Sequence, residues 1–388
     1  MIPYGKQDIV QHDIDAVVSV LKSDFLTQGP QVPLFETSLT FITQATHAVA
    51  VNSATSALHI ACLALGLGVG DWLWTSPITF VASANCGLYC GAQIDFVDID
   101  ADTYNMCPQK LKQKLIKAKV EGRLPKVVIP VHLCGQSCDM QAIYALSQEY
   151  GFHIIEDASH AIGGRYQQQP IGNCKYSDIT IFSFHPVKIV TTAEGGAALT
   201  NDPSLAERMR LLRSHGITRE PDNMQGQPHG AWYYQQIELG FNYRMTELQA
   251  ALGVSQLNRL EEFVRQRHYF SDRYNRLLAH LPITRPYQLP DTYSGLHLYV
   301  IRLSLGQISK SHSQVFDELR ANGIGVNLHY IPVHFQPYYQ NMGFKMGNFP
   351  DAEHYYQEAI SLPMFSAMTD NMQDEVVSVL TRILESEA

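Results

Sequence analysis

Between Ala48 and Phe184, short apolar runs of strand length alternate with stretches of helical spacing, and that alternation admits few folds. Ala48-Val-Ala-Val51, Trp72-Leu-Trp-Thr75, Gln93-Ile-Asp-Phe-Val97 and Lys126-Val-Val-Ile-Pro130 read as strands, as do residues 152–157 and 179–184. Helices are predicted over 53–65, 79–89 and 109–119. Parallel neighbours need a crossover, so this order predicts an α/β fold with a mostly parallel central sheet flanked by helices. Gly66-Leu-Gly-Val-Gly70 follows a helix rather than a strand, and so reads as a helix stop, not a dinucleotide fingerprint. From Met245, Leu248, Leu252, Leu257, Leu260, Phe263 and Val264 predict one long helix to Leu278, the link into a smaller C-terminal α/β domain. The expected division is 1–250 and 251–388, with residues 221–230 an exposed loop rich in Gly, Pro and amides.

Lys188 is the one reliably charged residue between Asp178 and Glu194, in Ser183-Phe-His-Pro-Val-Lys-Ile-Val-Thr-Thr. Many lysines merely lay their stems along apolar surface. One set among Phe, Val and Ile loses hydration in its ammonium form, its pKa falls, and the free amine becomes a nucleophile of the Schiff-base kind. Phe152-His-Ile-Ile-Glu-Asp157 brings two carboxylates to the end of a neighbouring strand, and strand alternation turns only one of them toward a ligand. Amine and acid at strand C-termini stand where open α/β sheets bind ligands. Pyridoxal phosphate needs that pair: a lysine for its aldehyde and an acid for its ring nitrogen.

Asn52-Ser-Ala-Thr-Ser-Ala-Leu-His59, Ile155-Glu-Asp-Ala-Ser-His-Ala-Ile-Gly163, Ser183-Phe-His-Pro-Val-Lys188 with Glu194-Gly-Gly196, and Gly240-Phe-Asn-Tyr-Arg-Met-Thr-Glu-Leu248 resemble the nucleotide-sugar aminotransferases, a fold-type I pyridoxal-phosphate family. The resemblance covers nearly the whole chain. It implies Lys188 and Asp157 as catalytic residues, and Thr55, Ser56 and Ser183 around the cofactor phosphate. Phe80 would stack on the ring, though an aromatic there also suits a core. His160 would lie near the phenolic oxygen, and Asn242 would come from a partner subunit, giving a homodimer with shared active sites. His185, Tyr243, Arg244, His329 and Tyr330 fall at substrate-binding positions; His297 and Tyr299 are pocket residues by family position and equally good packing residues. Asn242 could instead cap the Met245 helix. The implied reaction moves the amino group of L-glutamate to a keto sugar in two half-reactions, with Lys188 acting as anchor and then as acid/base. His185 and Pro186 favour the branch that aminates C4 of a UDP-linked 4-keto-6-deoxy-N-acetylhexosamine in pseudaminic acid biosynthesis. Another nucleotide-linked keto sugar stays open, as does a cofactor-binding protein without turnover. A related dehydratase carries His where this chain has Lys188.

A net charge of −9 argues against nucleic acid or an anionic membrane as the main partner. Phosphate-bearing ligands then need local cations, for which Arg213, Arg219 and Arg244 are candidates. No apolar stretch is long enough to span a bilayer, and the expected location is the cytoplasm. Seven scattered cysteines suit a reducing compartment. Cys134 and Cys138 beside His132 lack a second close ligand pair, and Pro332 breaks any helix aligning His329 with His334, so no metal site is expected.

Overall fold

The structure, a computed structural model, describes residues 1–385. Its main sheet holds β1 (His47–Val51), β2 (Trp72–Thr75), β3 (Gln93–Phe96), β4 (Val127–Ile129) and β5 (His153–Asp157). After a surface hairpin, β6 (Arg165–Tyr166) and β7 (Gln169–Pro170), the chain returns as β8 (Ile179–Ser183) and β9 (Gly196–Thr200). The order is β1-β9-β8-β5-β4-β2-β3, parallel from β8 across to β3, with β9 antiparallel to both β1 and β8. The predicted strands are present. β9 was not among them: its Ala-Ala-Leu lacks β-branched residues, and glycine at 195 and at its first position, 196, weakens the strand signal. It forms because both of its neighbours offer edges and all five of its residues are buried.

Helices α1 (Gln11–Leu21), α2 (Gln31–Thr43), α3 (Ala54–Ala64), α4 (Ala82–Tyr89), α5 (Pro108–Glu121), α6 (Met140–Tyr150) and α7 (Pro203–Arg213) accompany the sheet. β10 (Ile217–Thr218) and β11 (Gln235–Gln236) pair at the base of the excursion that contains the exposed 221–230 loop. The expected single helix from Met245 is two, α8 (Glu247–Leu257) and α9 (Leu260–Leu277). The reason lies in spacing: Leu252 to Leu257 is five residues, about 140° past a full turn at ~100° per residue, so the apolar stripe cannot continue straight. At the break Arg259 turns back, its Nη2 donating to Asp13 Oδ2 at 2.9 Å and to the Asp8 carbonyl at 2.7 Å.

A second, antiparallel sheet joins β12 (Ile283–Thr284), β14 (Tyr299–Leu303) and β15 (Ala359–Leu362), while β13 (Thr292–Tyr293) pairs back onto β6. Two cores share α9: Leu260, Phe263 and Val264 pack toward the main sheet, Phe270 and Tyr274 into the C-terminal core. Ile2 belongs to that second core and bridges Ile324, so the N-terminus is tied to the C-terminal part of the chain. Among the described residues no helix is long and apolar enough to cross a membrane.

Candidate active site

Lys188 lies in the turn after β8, where its amide donates to the His185 carbonyl at 2.9 Å. Its Nζ has no hydrogen-bond partner among the described residues. Burial pushes its pKa down to about 8, against the opposing pull of the Asp157 carboxylate. Asp157 ends β5 and is 5% exposed. Its Oδ2 accepts from Ser83 Oγ at 2.6 Å; Oδ1 accepts from Ser159 Oγ at 2.6 Å and from the Ser159 amide at 3.2 Å. Neither serine was singled out in the sequence; a hydroxyl on α4, 74 residues away, leaves no local pattern. Glu156, the competing carboxylate, faces away as alternation requires, with Oε2 on His132 Nε2 at 2.7 Å. His132 Nδ1 accepts from the Cys138 amide, so both of its ring nitrogens serve the fold.

Beside this pair is a helix N-terminus. Ser53 caps α3 and its Oγ takes the Ser56 amide at 3.1 Å, while Ser56 Oγ donates to Asn52 Oδ1 at 2.7 Å. Ser56 is therefore already engaged, and the amides left without an acceptor are those of Ala54 and Thr55. Ser183 pairs with Gly196 in the β8–β9 ladder, and a Cβ on Gly196 would stand 2.5 Å from Ala54 N. Glycine is what lets β9 pass under the helix start, and it brings Ser183 to the same spot as those amides. Arg244 bridges to Val51 through its main chain and has no acid partner among the described residues. The other two candidate cations are committed elsewhere: Arg213 holds Glu36 at 2.6 Å and the Ala50 carbonyl, and Arg219 lies over Tyr234.

Asn242 exposes its side chain, while its carbonyl accepts from Asn52 Nδ2 at 3.5 Å. It does not cap α8; Thr246 does, in a capping box with Gln249. Tyr243 stacks on Phe241 at 4.9 Å and its hydroxyl meets His59 Nδ1 at 3.2 Å, under α3. His185 is exposed.

Phe80 is 59% exposed, which disposes of the core alternative, and its ring faces Tyr330 at 6.3 Å. Tyr330 Oη lies 3.1 Å from His160 Nε2, and His160 Nδ1 accepts the Cys134 amide at 3.3 Å. His297 packs 4.4 Å from His160, with its Nδ1 buried and unpartnered. His329 bonds Ser361 Oγ through Nδ1 at 2.8 Å and packs against Tyr4, an N-terminal neighbour the sequence did not single out. Burial first, and then the Lys188 charge, holds His160 well below the ordinary imidazole range and His329 at about 3. Burial, His160 and Lys188 do the same to His297. All three histidines are neutral at physiological pH. Tyr299, by contrast, sits in the C-terminal core with its hydroxyl on Asn275.

The mostly parallel sheet flanked by helices is that of the fold-type I pyridoxal-phosphate-dependent transferases, and here a lysine and an aspartate stand at its C-terminal edge with a helix N-terminus beside them. The chain belongs to the DegT/DnrJ/EryC1/StrS aminotransferase family, whose model matches residues 7–381. It is 38% identical to the spore coat polysaccharide biosynthesis protein SpsC of Bacillus subtilis, over 99% of this chain and 97% of that one. It is 36% identical to the UDP-4-amino-4,6-dideoxy-N-acetyl-beta-L-altrosamine transaminase of Campylobacter jejuni, over 99% and 98%. Among solved structures, Helicobacter pylori PseC, described as an aminotransferase in pseudoaminic acid biosynthesis, superposes with a TM-score of 0.90 at 30% identity, covering 99% of each chain. The protein is thus a sugar aminotransferase dependent on pyridoxal phosphate, and related structures are solved in both the pyridoxal and pyridoxamine forms. The residues present fit that group: an unbonded, desolvated amine, a buried carboxylate, two helix-start amides without acceptors, and an aromatic face open to solvent.

Proposed function

We propose that this enzyme moves the amino group of L-glutamate to C4 of a UDP-linked 4-keto-6-deoxy-N-acetylhexosamine, a step of pseudaminic acid biosynthesis. The observation that carries the reading is the unbonded Lys188 amine across from Asp157, in a chain 36% identical to a transaminase named for that sugar. Bound here, pyridoxal phosphate supplies an aldehyde for the amine and a ring that accepts electrons. Lys188 anchors it and then, as free amine, holds and moves the proton at the substrate carbon. Asp157, its two oxygens fixed by Ser83 and Ser159, would be the acid that keeps the ring nitrogen protonated. The amides of Ala54 and Thr55, the Thr55 and Ser183 hydroxyls and the positive end of α3 take the phosphate; Ser56 supports the cap. Phe80, its ring open to solvent, would stack on the cofactor ring. His185, Tyr243, Arg244, His329 and Tyr330 border the sugar-nucleotide side, with Arg244 the cation left for a diphosphate.

The working unit is a homodimer in which Asn242 reaches the partner's phosphate. Its support is the exposed Asn242 side chain together with Ile14, Leu21, Phe25, Leu26 and Leu34, which leave an apolar face uncovered around α1 and α2. Cytoplasmic residence is proposed on seven thiols, all free. The 38% identity to a spore coat polysaccharide protein favours a second reading, amination of a different nucleotide-linked keto sugar. Incubating the enzyme with glutamate and a panel of 4-keto nucleotide sugars, with product masses read out, tests both. Amination confined to another sugar overturns the first reading in favour of the second, and no aminated product from any sugar overturns both.

A further inference from the structure

The hydrogen bonds around His160 fix where its proton is. A backbone N–H can only donate, so the Cys134 amide at 3.3 Å makes Nδ1 of His160 an acceptor, without a proton of its own. The neutral ring then carries its hydrogen on Nε2, and Nε2 must donate to Tyr330 Oη at 3.1 Å. Tyr330 has one hydroxyl hydrogen, and His160 does not accept it. That hydrogen is directed away from His160, and no other acceptor for it is found among the described residues.

We propose that Tyr330 donates a hydrogen bond to the oxygen of the substrate carbon that exchanges oxygen for amine, and that His160 is the positioning residue that aims it. The proposal rests on the transaminase reading above. When the amine nitrogen bonds the carbonyl carbon the C–O double bond opens, leaving a tetrahedral carbon whose oxygen gathers negative charge before it is protonated and leaves as water, the other half-reaction running the same exchange in reverse. A fixed donor at that oxygen is worth more there than in the ground state. Tyr330 is suited to this role, because burial, with Asp157 next, pushes its hydroxyl well above the usual phenol range and it stays a donor at every working pH. Its ring lies against Phe80 and His160, at 6.3 and 6.1 Å, and these contacts, with the His160 Nε2 hydrogen bond, fix where the hydroxyl oxygen sits. Because the exchange occurs at glutamate's carbon in one half-reaction and at the sugar's in the other, both halves use the same donor.

Three measurements test this. Nitrogen-15 NMR of histidine-labelled, cofactor-free protein should show His160 neutral and protonated on Nε2 between pH 6 and 9; an Nδ1-protonated or charged ring overturns the positioning role whether or not the enzyme aminates sugars. Tyr330→Phe should lower kcat of both half-reactions by about 100-fold with KM little changed. His160→Leu should match it, His160→Gln should recover most of the loss because it keeps an N–H donor, and the double variant should be no slower than either single one. Additive losses overturn the coupling. Finally, the bound cofactor's absorbance should titrate at the same pH in Tyr330→Phe as in the wild type; a shift of a pH unit or more would mean that the hydroxyl serves the cofactor instead, and overturns the assignment to substrate oxygen.

Discussion

In the cofactor-free protein, Lys188 should react as an amine of pKa about 8, the value to which burial lowers it. At pH 7.5 such a group is about one-quarter deprotonated, against about one part in a thousand for a solvated lysine near 10.4. The advantage in free amine is ~200-fold. A less basic amine is a weaker nucleophile, and a Brønsted slope like the ~0.4–0.5 known for thiols takes back ~10-fold, leaving Lys188 roughly 20 times as reactive as surface lysines. Competitive labelling with trace acetic anhydride across pH 6–11, read peptide by peptide by mass spectrometry, measures this directly. Lys188 should reach half-maximal labelling near pH 8 and the exposed lysines near 10.4. Lys114, also lowered by burial, is the internal comparison, because its amine is tied to Asp95 and to the Phe96 carbonyl. In Asp157→Asn the charge that opposes the shift is gone, so the Lys188 midpoint should fall further. A midpoint near 10, or one that rises in Asp157→Asn, would refute the account of a desolvated amine held up only by its carboxylate.

Asp157→Asn should lower turnover by about 100-fold or more while the chain still folds, since the amide oxygen can keep one serine contact; near-normal turnover at matched cofactor occupancy would mean that another carboxylate does the work. Gly196→Ala puts a Cβ 2.5 Å from Ala54 N, so urea unfolding should show a loss of about 1–3 kcal/mol and dialysis a weaker affinity for the cofactor phosphate. Mixing Asn242→Ala chains with Lys188→Ala chains should restore part of the activity, because a mixed dimer then contains one site with neither defect. No recovery after verified subunit exchange would place Asn242 in its own chain's site.

The candidate site could be assembled from the sequence where its residues sit in sequence-local patterns. Lys188 follows β8, Asp157 ends β5 and Ser53 caps α3; alternation along β5 parts Asp157 from Glu156, and the family motif names Asp157 as the one that faces a ligand. What escaped was set by partners far away in the chain. Ser83 earns no notice within α4 until β5 places Asp157 above it, and Tyr4 means nothing until the N-terminus crosses to His329. The Ser56 amide was expected to face the phosphate, yet Ser53 takes it; a cap and an anion compete for the same donors, and only geometry shows which amides stay open. The α8–α9 break was present in the spacing of Leu252 and Leu257, but locally a five-residue step weighs little against the apolar positions on either side.

The histidine and tyrosine wall depends on both cores at once. His160 and Cys134 follow strands of the main sheet, whereas His297, His329 and Tyr330 come from the C-terminal part. Arg267, 1% exposed and without a carboxylate partner among the described residues, is the joint: its Nη1 donates to the carbonyls of Leu296, His297 and Met364 at 3.2, 3.0 and 3.1 Å. An unpaired buried cation is costly, and burial lowers this one to about 10. Its three carbonyls are the compensation, and together they hold the 296–297 segment where the Gly295 amide bonds the Gly135 carbonyl at 3.0 Å. That crossing is tight enough that a Cβ on Gly135 would stand 2.7 Å from Leu296 N. His297 is thereby pressed against His160, whose neutral ring faces Lys188's charge. A guanidinium buried away from the chemistry thus fixes the packing that keeps the imidazoles beside Lys188 uncharged, and uncharged imidazoles are what allow His160 to accept from Cys134 and donate to Tyr330 at the same time.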